Sequence, residues 1–549
     1  MQKLLVAILA AALVIALALA ILVFPKAPAN QAVDESSAAT SVIINEPLSR
    51  PVVQPQQSSE PPQISEAPTS SRPAHNHEPL ARPQYQMRLE LDTAAKRIDG
   101  TVRVLFMNDS RDDWDEICFR DFNFGAAEYF HDNGDAVNSR MQSDFTDVKD
   151  SLTDESLEWR RDSDPSIVWL TPEAPLAPGE RMEVEIAFYS DIPYNYDLIS
   201  WVAIDDERLF FELGNFYPVL AIYEEEEWQL PPFTYQTESF YSLCADYDVS
   251  LILPDEYLVI STGDEQPQPE DNGLVLWQLS AENTRDFAIT AANGLSCMEV
   301  AVGDTVVNTY YYEDEPKGLT TRLEAELMQQ SASLALELFE EKIGIYPYDE
   351  LDVVPSFGEY GGLEYPGLVR ISILNMEYLG RENSAARWQA RYEAVSKTTA
   401  HEVAHQWFYA VVGNNSYSEP WLDEAFASFC ERYIYMREVY SEADFKAAVK
   451  QERELLRLLA GDFEWQLDLS AIEYKSYYHE VYVQGALFLY DIMLLIGEED
   501  FFAMLSDYYS RYSFLQADTG DFLEILHEYT QDDEVWGLVS EHFEYSPEN

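Results

Sequence analysis

The apolar residues of this chain change their spacing once, near residue 312, and that change limits its fold more than any other feature. From Tyr85 to about Tyr312 the pattern alternates. Tyr85-Gln86-Met87-Arg88-Leu89-Glu90-Leu91, Thr101-Val102-Arg103-Val104 and Met182-Glu183-Val184-Glu185-Ile186 each set every second side chain on one face, the period of a half-buried strand. Clusters of Gly, Pro, Asn and Asp separate these runs, so a β-rich, sandwich-like domain is expected over 83–312. Beyond it, Leu319 to Ile343, Ala385 to Val412, Trp421 to Tyr440 and most of 441–545 carry the amphipathic spacing of helices. A short strand-like stretch, Leu351 to Pro355, lies among them. The class expected is multidomain α+β, with a mostly helical domain over 313–549. No internal repeat is visible.

Two segments precede these domains. Leu4 to Phe24 holds no charge and no proline and follows Lys3. A helix of that length spans about 30 Å, enough for a hydrocarbon core. Residues 1–24 therefore read as an N-terminal transmembrane anchor with its short tail inside. Ala27-Pro28-Ala29 leaves a cleaved signal segment as the alternative. In either case the body is exported, tethered or secreted. Residues 25–82 are rich in Pro, Ser, Ala and Gln and read as a disordered linker, in which His75 and His77 are solvated. Acidic residues number 99 against 34 basic ones, a formal charge of −65, nearly all of it on 83–549. Such a body repels nucleic acid and anionic lipid. With 47% hydrophobic and 13% aromatic residues it is nonetheless globular. Cys118, Cys244, Cys297 and Cys430 stand far apart, which excludes a disulfide scaffold and a cysteine-type zinc site.

The chemistry concentrates at His401-Glu402-Val403-Ala404-His405. On a helix, positions i and i+4 share a face, so both imidazoles can hold one metal ion with Glu402 beside it as a general base. A third protein ligand is needed. The helix is expected to stop at Gly413-Asn414-Asn415, and a second one follows Ser418. About 12 Å of axis from His405 to the turn and about 9 Å back bring Glu424 level with the histidines if the helices are antiparallel. Leu422, Ala425, Phe426 and Phe429 form the apolar face beside it, so Glu424 points inward, where a metal would satisfy its charge. Two histidines and a glutamate suit zinc best, one ion per chain.

HEVAH, 18 further residues, then Glu424 within WLDEAFA resembles the aminopeptidase N family of gluzincin zinc metallopeptidases. Gly361-Gly362-Leu363-Glu364-Tyr365 resembles that family's GxMEN exopeptidase motif, and Tyr482-Val483-Gln484-Gly485-Ala486 its YxKG segment. The resemblance covers about 83–549, with sharp motifs only in 361–486. It implies a thermolysin-like catalytic domain and zinc on His401, His405 and Glu424. It also implies Glu402 as base and Tyr482 as hydrogen-bond donor to the tetrahedral adduct, with Tyr477 and Tyr478 as runners-up. Glu364, with Gly361 and Gly362, would bind the α-ammonium of peptides that have a free N-terminus. Leu363 stands for the pattern's Met and Tyr365 for its Asn, which leaves side-chain preference undetermined. Gln236-x-Glu238 offers a second amine contact in surroundings unlike the family's. The stretch after Tyr482 is too short for the large C-terminal helical domain of longer members. A less enclosed cleft is therefore expected, one that accepts longer peptides with weak selection beyond the first residue. The reading is a membrane-tethered extracytoplasmic zinc aminopeptidase, membrane-bound through its N-terminal helix only. A zinc endopeptidase of the same class and a catalytically inactive surface-binding protein are the alternatives.

Overall fold

Strand Gln84–Asp92 buries every second residue, Tyr85, Met87, Leu89 and Leu91, as its alternation requires. In the computed structural model, which describes residues 82–543 except 197, 235–238, 271, 315–321, 359–360, 373–384 and 460–465, this strand pairs antiparallel with Arg97–Met107 and parallel with Ala245–Pro254. The expected anchor at 1–24, the linker up to 81 with its two histidines, and Gln236-x-Glu238 lie outside the described residues. A seven-stranded sheet results, in the order 264–269, 274–284, 245–254, 84–92, 97–107, 181–191, 143–150. Two four-stranded sheets and a two-stranded one, Tyr223–Glu224 with Glu227–Trp228, complete the described β-rich part, and Val102, Val184, Phe119, Leu170, Phe211 and Leu251 meet in its core. A helix, α1 (Phe122–Asn133), is capped by the Asp121 side chain.

A five-stranded sheet carries the helical part, in the order Ser296–Val302, Thr305–Tyr311, Glu350–Ser356, Leu368–Ser372, Gly362–Tyr365. Its three central strands are parallel, and the last is an antiparallel edge. Its first two strands precede residue 313, so the sheet of the helical part begins at Ser296, earlier than the expected division. Alternation marks a strand but does not say which sheet it joins. Helix α2 (Arg322–Lys342) makes the crossover between two parallel strands and meets α3 (Ala385–Ala404) where Ser331 Oγ lies 3.1 Å from Ser396 Oγ.

Helix α3 ends at Ala404 instead of running to Val412. Residues 405–413 form a buried turn closed by a bridge between Phe408 and Val412. Trp407, Phe408, Val411 and Val412 are all buried, and a short apolar run buried on every side reads alike as helix or turn. Helix α4 (Trp421–Phe429) continues through a π-helical turn, Cys430–Tyr435, into Met436–Val439. A second π-helical segment, Tyr478–Gly485, leads into Ala486–Ile496. By length and composition Tyr478–Ile496 is apolar enough to cross a membrane, but most of it is buried in this core. Trp421 sits among the rings of Phe426, Phe488, Phe522 and Phe543, so the C-terminal helices pack on the start of α4.

Candidate active site

The last turn of α3, the first of α4, the edge strand and the Tyr478–Gly485 segment line one cleft of about 650 Å³. The β-rich part contributes Phe122, Tyr196, Leu198, Phe233 and Phe240 to its wall. His401 Nε2 lies 3.1 Å from Glu424 Oε2 and 3.2 Å from His405 Nε2, and His405 Nε2 lies 3.5 Å from Glu424 Oε2. A tetrahedral ion with bonds of about 2.0–2.1 Å needs donors about 3.3 Å apart. The three atoms therefore form one face of such a tetrahedron, and among the described residues they are the one group of that kind.

Groups behind the donors set their orientation. His405 Nδ1 is 3.1 Å from the Phe408 carbonyl. A carbonyl only accepts, so Nδ1 carries the proton of that bond and Nε2 is the ring nitrogen turned toward the metal position. His401 Nδ1 faces Glu431 Oε2 at 3.8 Å. Behind Glu424, Asp423 accepts hydrogen bonds from Asn414 Nδ2 and Ser416 Oγ, each at 2.9 Å. Burial opposes charge on Glu424, yet hydrogen bonds with His401 and His405 outweigh it and hold the carboxyl well below its usual range. His405 is pushed up to about 9, because its hydrogen bond with Glu424 and the surrounding carboxylates outweigh burial. Burial pushes Glu402 up to about 7 against the opposing histidines.

Glu402 is buried and its carboxyl group lies over Gly362, where an added Cβ would come within 2.3 Å of it. Gly361 has open space where a side chain would begin, so only Gly362 is required by packing. Glu364 lines the cleft from the edge strand, paired with Val369. Gln406 fastens that strand to the turn after α3, accepting from Gly367 N at 2.9 Å and donating to the Tyr365 carbonyl at 3.1 Å. Tyr365, one of the departures from the motif, is buried against Gly214 of the β-rich part. Tyr482 donates its hydroxyl to Glu424 Oε1 and stacks on His401 at 5.6 Å. Tyr477 and Tyr478 line the same cleft.

The structure thus brings His401, Glu402, His405, Glu424, Tyr482, Glu364, Gly361 and Gly362 to one place. Sequence reasoning missed Glu431, Gln406 and the Phe408 carbonyl. Glu431 was findable: it follows Glu424 by two helical turns and shares its face. The carbonyl carries no sequence signal.

Residues 328–542 match the Peptidase family M1 domain. Aminopeptidase N of Streptomyces lividans is 25% identical over 304 residues, which cover 52% of this chain and 34% of that protein. Glutamyl aminopeptidase of Sus scrofa is 26% identical over 309 residues, covering 52% and 30%. The matched stretch of this chain therefore spans about a third of these relatives' own length. An M1 zinc metallopeptidase from Deinococcus radiodurans superposes with a TM-score of 0.60 at 16% identity, over 85% of this chain and 95% of that one. At that identity the likeness is one of fold, a β-rich part followed by a helical one.

Proposed function

We propose that this chain is a member of peptidase family M1, a membrane-tethered, extracytoplasmic zinc aminopeptidase that removes N-terminal residues from peptides. The observation that carries the reading is Glu364, a buried carboxylate on the edge strand of the cleft that holds the His401, His405 and Glu424 donors. Zinc, when bound by those three side chains, supplies a Lewis acid and lowers the pKa of water beside it. Glu402 takes a proton from the attacking water and returns it to the leaving amine. The Tyr482 hydroxyl donates to the oxygen on which negative charge develops. Glu364 pairs with the substrate's α-ammonium, and that charge-assisted contact sets which carbonyl meets the water. The apolar stretch Leu4–Phe24 supports the tether and the exported location.

The test compares free-amine and N-acetylated aminoacyl substrates, using the full chain in detergent. The free amines should be hydrolysed and the acetylated ones spared. Glu402→Gln should bind zinc and lose about 100- to 10,000-fold in kcat. Equal cleavage of acetylated substrates would establish an endopeptidase instead. For the location, intact cells treated with external protease should lose the full-length chain from the membrane fraction. Protection from that protease would overturn the exported placement.

A further inference from the structure

Arg285 and Asp286 enter the junction of the two parts from the turn between strands Leu274–Thr284 and Ile289–Asn293. Neither lines the cleft, and both are buried. Arg285 Nε donates to the Tyr409 carbonyl at 2.6 Å, and its Nη2 donates to the carbonyls of Val411 at 3.2 Å and Leu515 at 3.1 Å. Its Nη1 reaches the Ser242 carbonyl at 2.9 Å. A guanidinium holds its donors in a rigid planar fork, so it fixes these carbonyls relative to one another. Gly413 packs on the same group: a Cβ there would lie 2.2 Å from Arg285 Nη1.

Asp286 accepts the phenol hydroxyl of Tyr409. Tyr409 has a φ of 121°, a backbone state that side-chain-bearing residues adopt only when their surroundings hold them there. It directly follows Phe408, whose carbonyl accepts the His405 Nδ1 proton at 3.1 Å. A fold that needed only a tight turn could use glycine at 409. A tyrosine reaches that state here because its carbonyl is tied to Arg285 and its hydroxyl to Asp286, whereas glycine would reach it without such ties.

We propose that Arg285 and Asp286 are positioning residues of the β-rich part that hold Tyr409 in its strained state and so fix the Phe408 carbonyl that orients His405 toward the metal. Metal affinity then depends on a part of the chain that supplies no ligand. Partners behind a metal-binding histidine are worth about 10- to 100-fold in affinity. The inference rests on the zinc reading of the site.

Zinc dissociation constants, measured by competition with a chelating dye, and thermal midpoints of the metal-free chain test it on the full chain in detergent. Tyr409→Phe removes the hydroxyl and keeps the strain, and Asp286→Ala removes its acceptor. Both should weaken zinc binding about 10- to 100-fold. Tyr409→Gly removes the strain together with the ring, so its zinc affinity should stay near that of the wild type, as should that of Asp286→Ala/Tyr409→Gly. The glycine variants should have the lower thermal midpoints, because each leaves a cavity. Zinc affinity that falls in step with the thermal midpoint, with glycine the weakest binder, overturns the proposal. So does a Tyr409→Phe chain that binds zinc as tightly as the wild type. A wild type that binds no zinc fails the metal reading itself, and that arm is read separately.

Discussion

A methyl group at residue 362 would sit 2.3 Å from the carboxyl carbon of Glu402, so the glycine and the base form one packed unit. Gly362→Ala should displace the carboxylate and lower kcat about 100-fold, the size of loss that an ångström-scale misplacement brings. Zinc affinity should stay unchanged, because the three donors do not touch that methyl. Steady-state kinetics beside a zinc titration would show it, and an unaltered kcat would mean that Glu402 moves freely. Glu364→Gln removes the charge opposite the substrate's ammonium and should lower kcat/KM for free-amine substrates about 10- to 150-fold, the worth of a charged hydrogen bond. An unchanged ratio would place the ammonium elsewhere. Both residues were legible in sequence as members of a motif. Contact between Glu402 and Gly362 was not, because it joins a helix to an edge strand.

Elements meet as closely as residues do. Gly485 ends the π-helical segment that carries Tyr482, and an added Cβ there would lie 2.5 Å from the Cβ of Ala425, the neighbour of Glu424. Gly485→Ala should push α4 and the tyrosine segment apart, at a cost of about 1–3 kcal/mol for overpacking. Activity should fall with it because Tyr482 leaves Glu424, and the thermal midpoint together with kcat would register both effects. Full retention of both would mean that the helices slide without loss. A second contact between elements carries a pH dependence. Glu265, on the outer strand of the seven-stranded sheet, faces Glu350 of the five-stranded one. Burial and then that neighbouring charge push its carboxyl from 4.5 up to about 8. Between those two values the folded chain keeps a proton that the unfolded chain has lost, so stability falls as pH rises from about 4.5 to about 8. Glu265→Gln keeps an acceptor for Ser261 N and has no proton to lose. Its thermal midpoint should exceed that of the wild type at pH 8, with the gain vanishing near pH 4.5. A gain of the same size at both pH values would sink the assignment. Helix spacing located α3 and α4 in the sequence, but the early end of α3 was hidden, since a turn buried on every side has no period of its own.

At the scale of the whole molecule the charge of −65 surrounds a cleft that takes, on our reading, a cationic N-terminus. Such a field draws positive ligands in and speeds their encounter. For a peptide bearing extra lysines, kcat/KM should fall as added salt shortens the screening length from about 30 Å at 0.01 M to about 3 Å at 1 M. A neutral peptide of equal length should change less. The same slope for both would remove steering from the account.

The sequence by itself determined the α+β class and the pairing of His401 with His405, because both follow from short spacings that a helix or strand turns directly into a shared face. Glu424 entered through the resemblance of its HEVAH-x18-E spacing. Only the tertiary structure decided which sheet strands Ser296–Val302 and Thr305–Tyr311 would join, where α3 would stop, and that Arg285 would reach the turn behind His405. Those outcomes depend on contacts such as Arg285 with Tyr409, 124 positions apart, and no local period records which distant residue will satisfy a buried carbonyl.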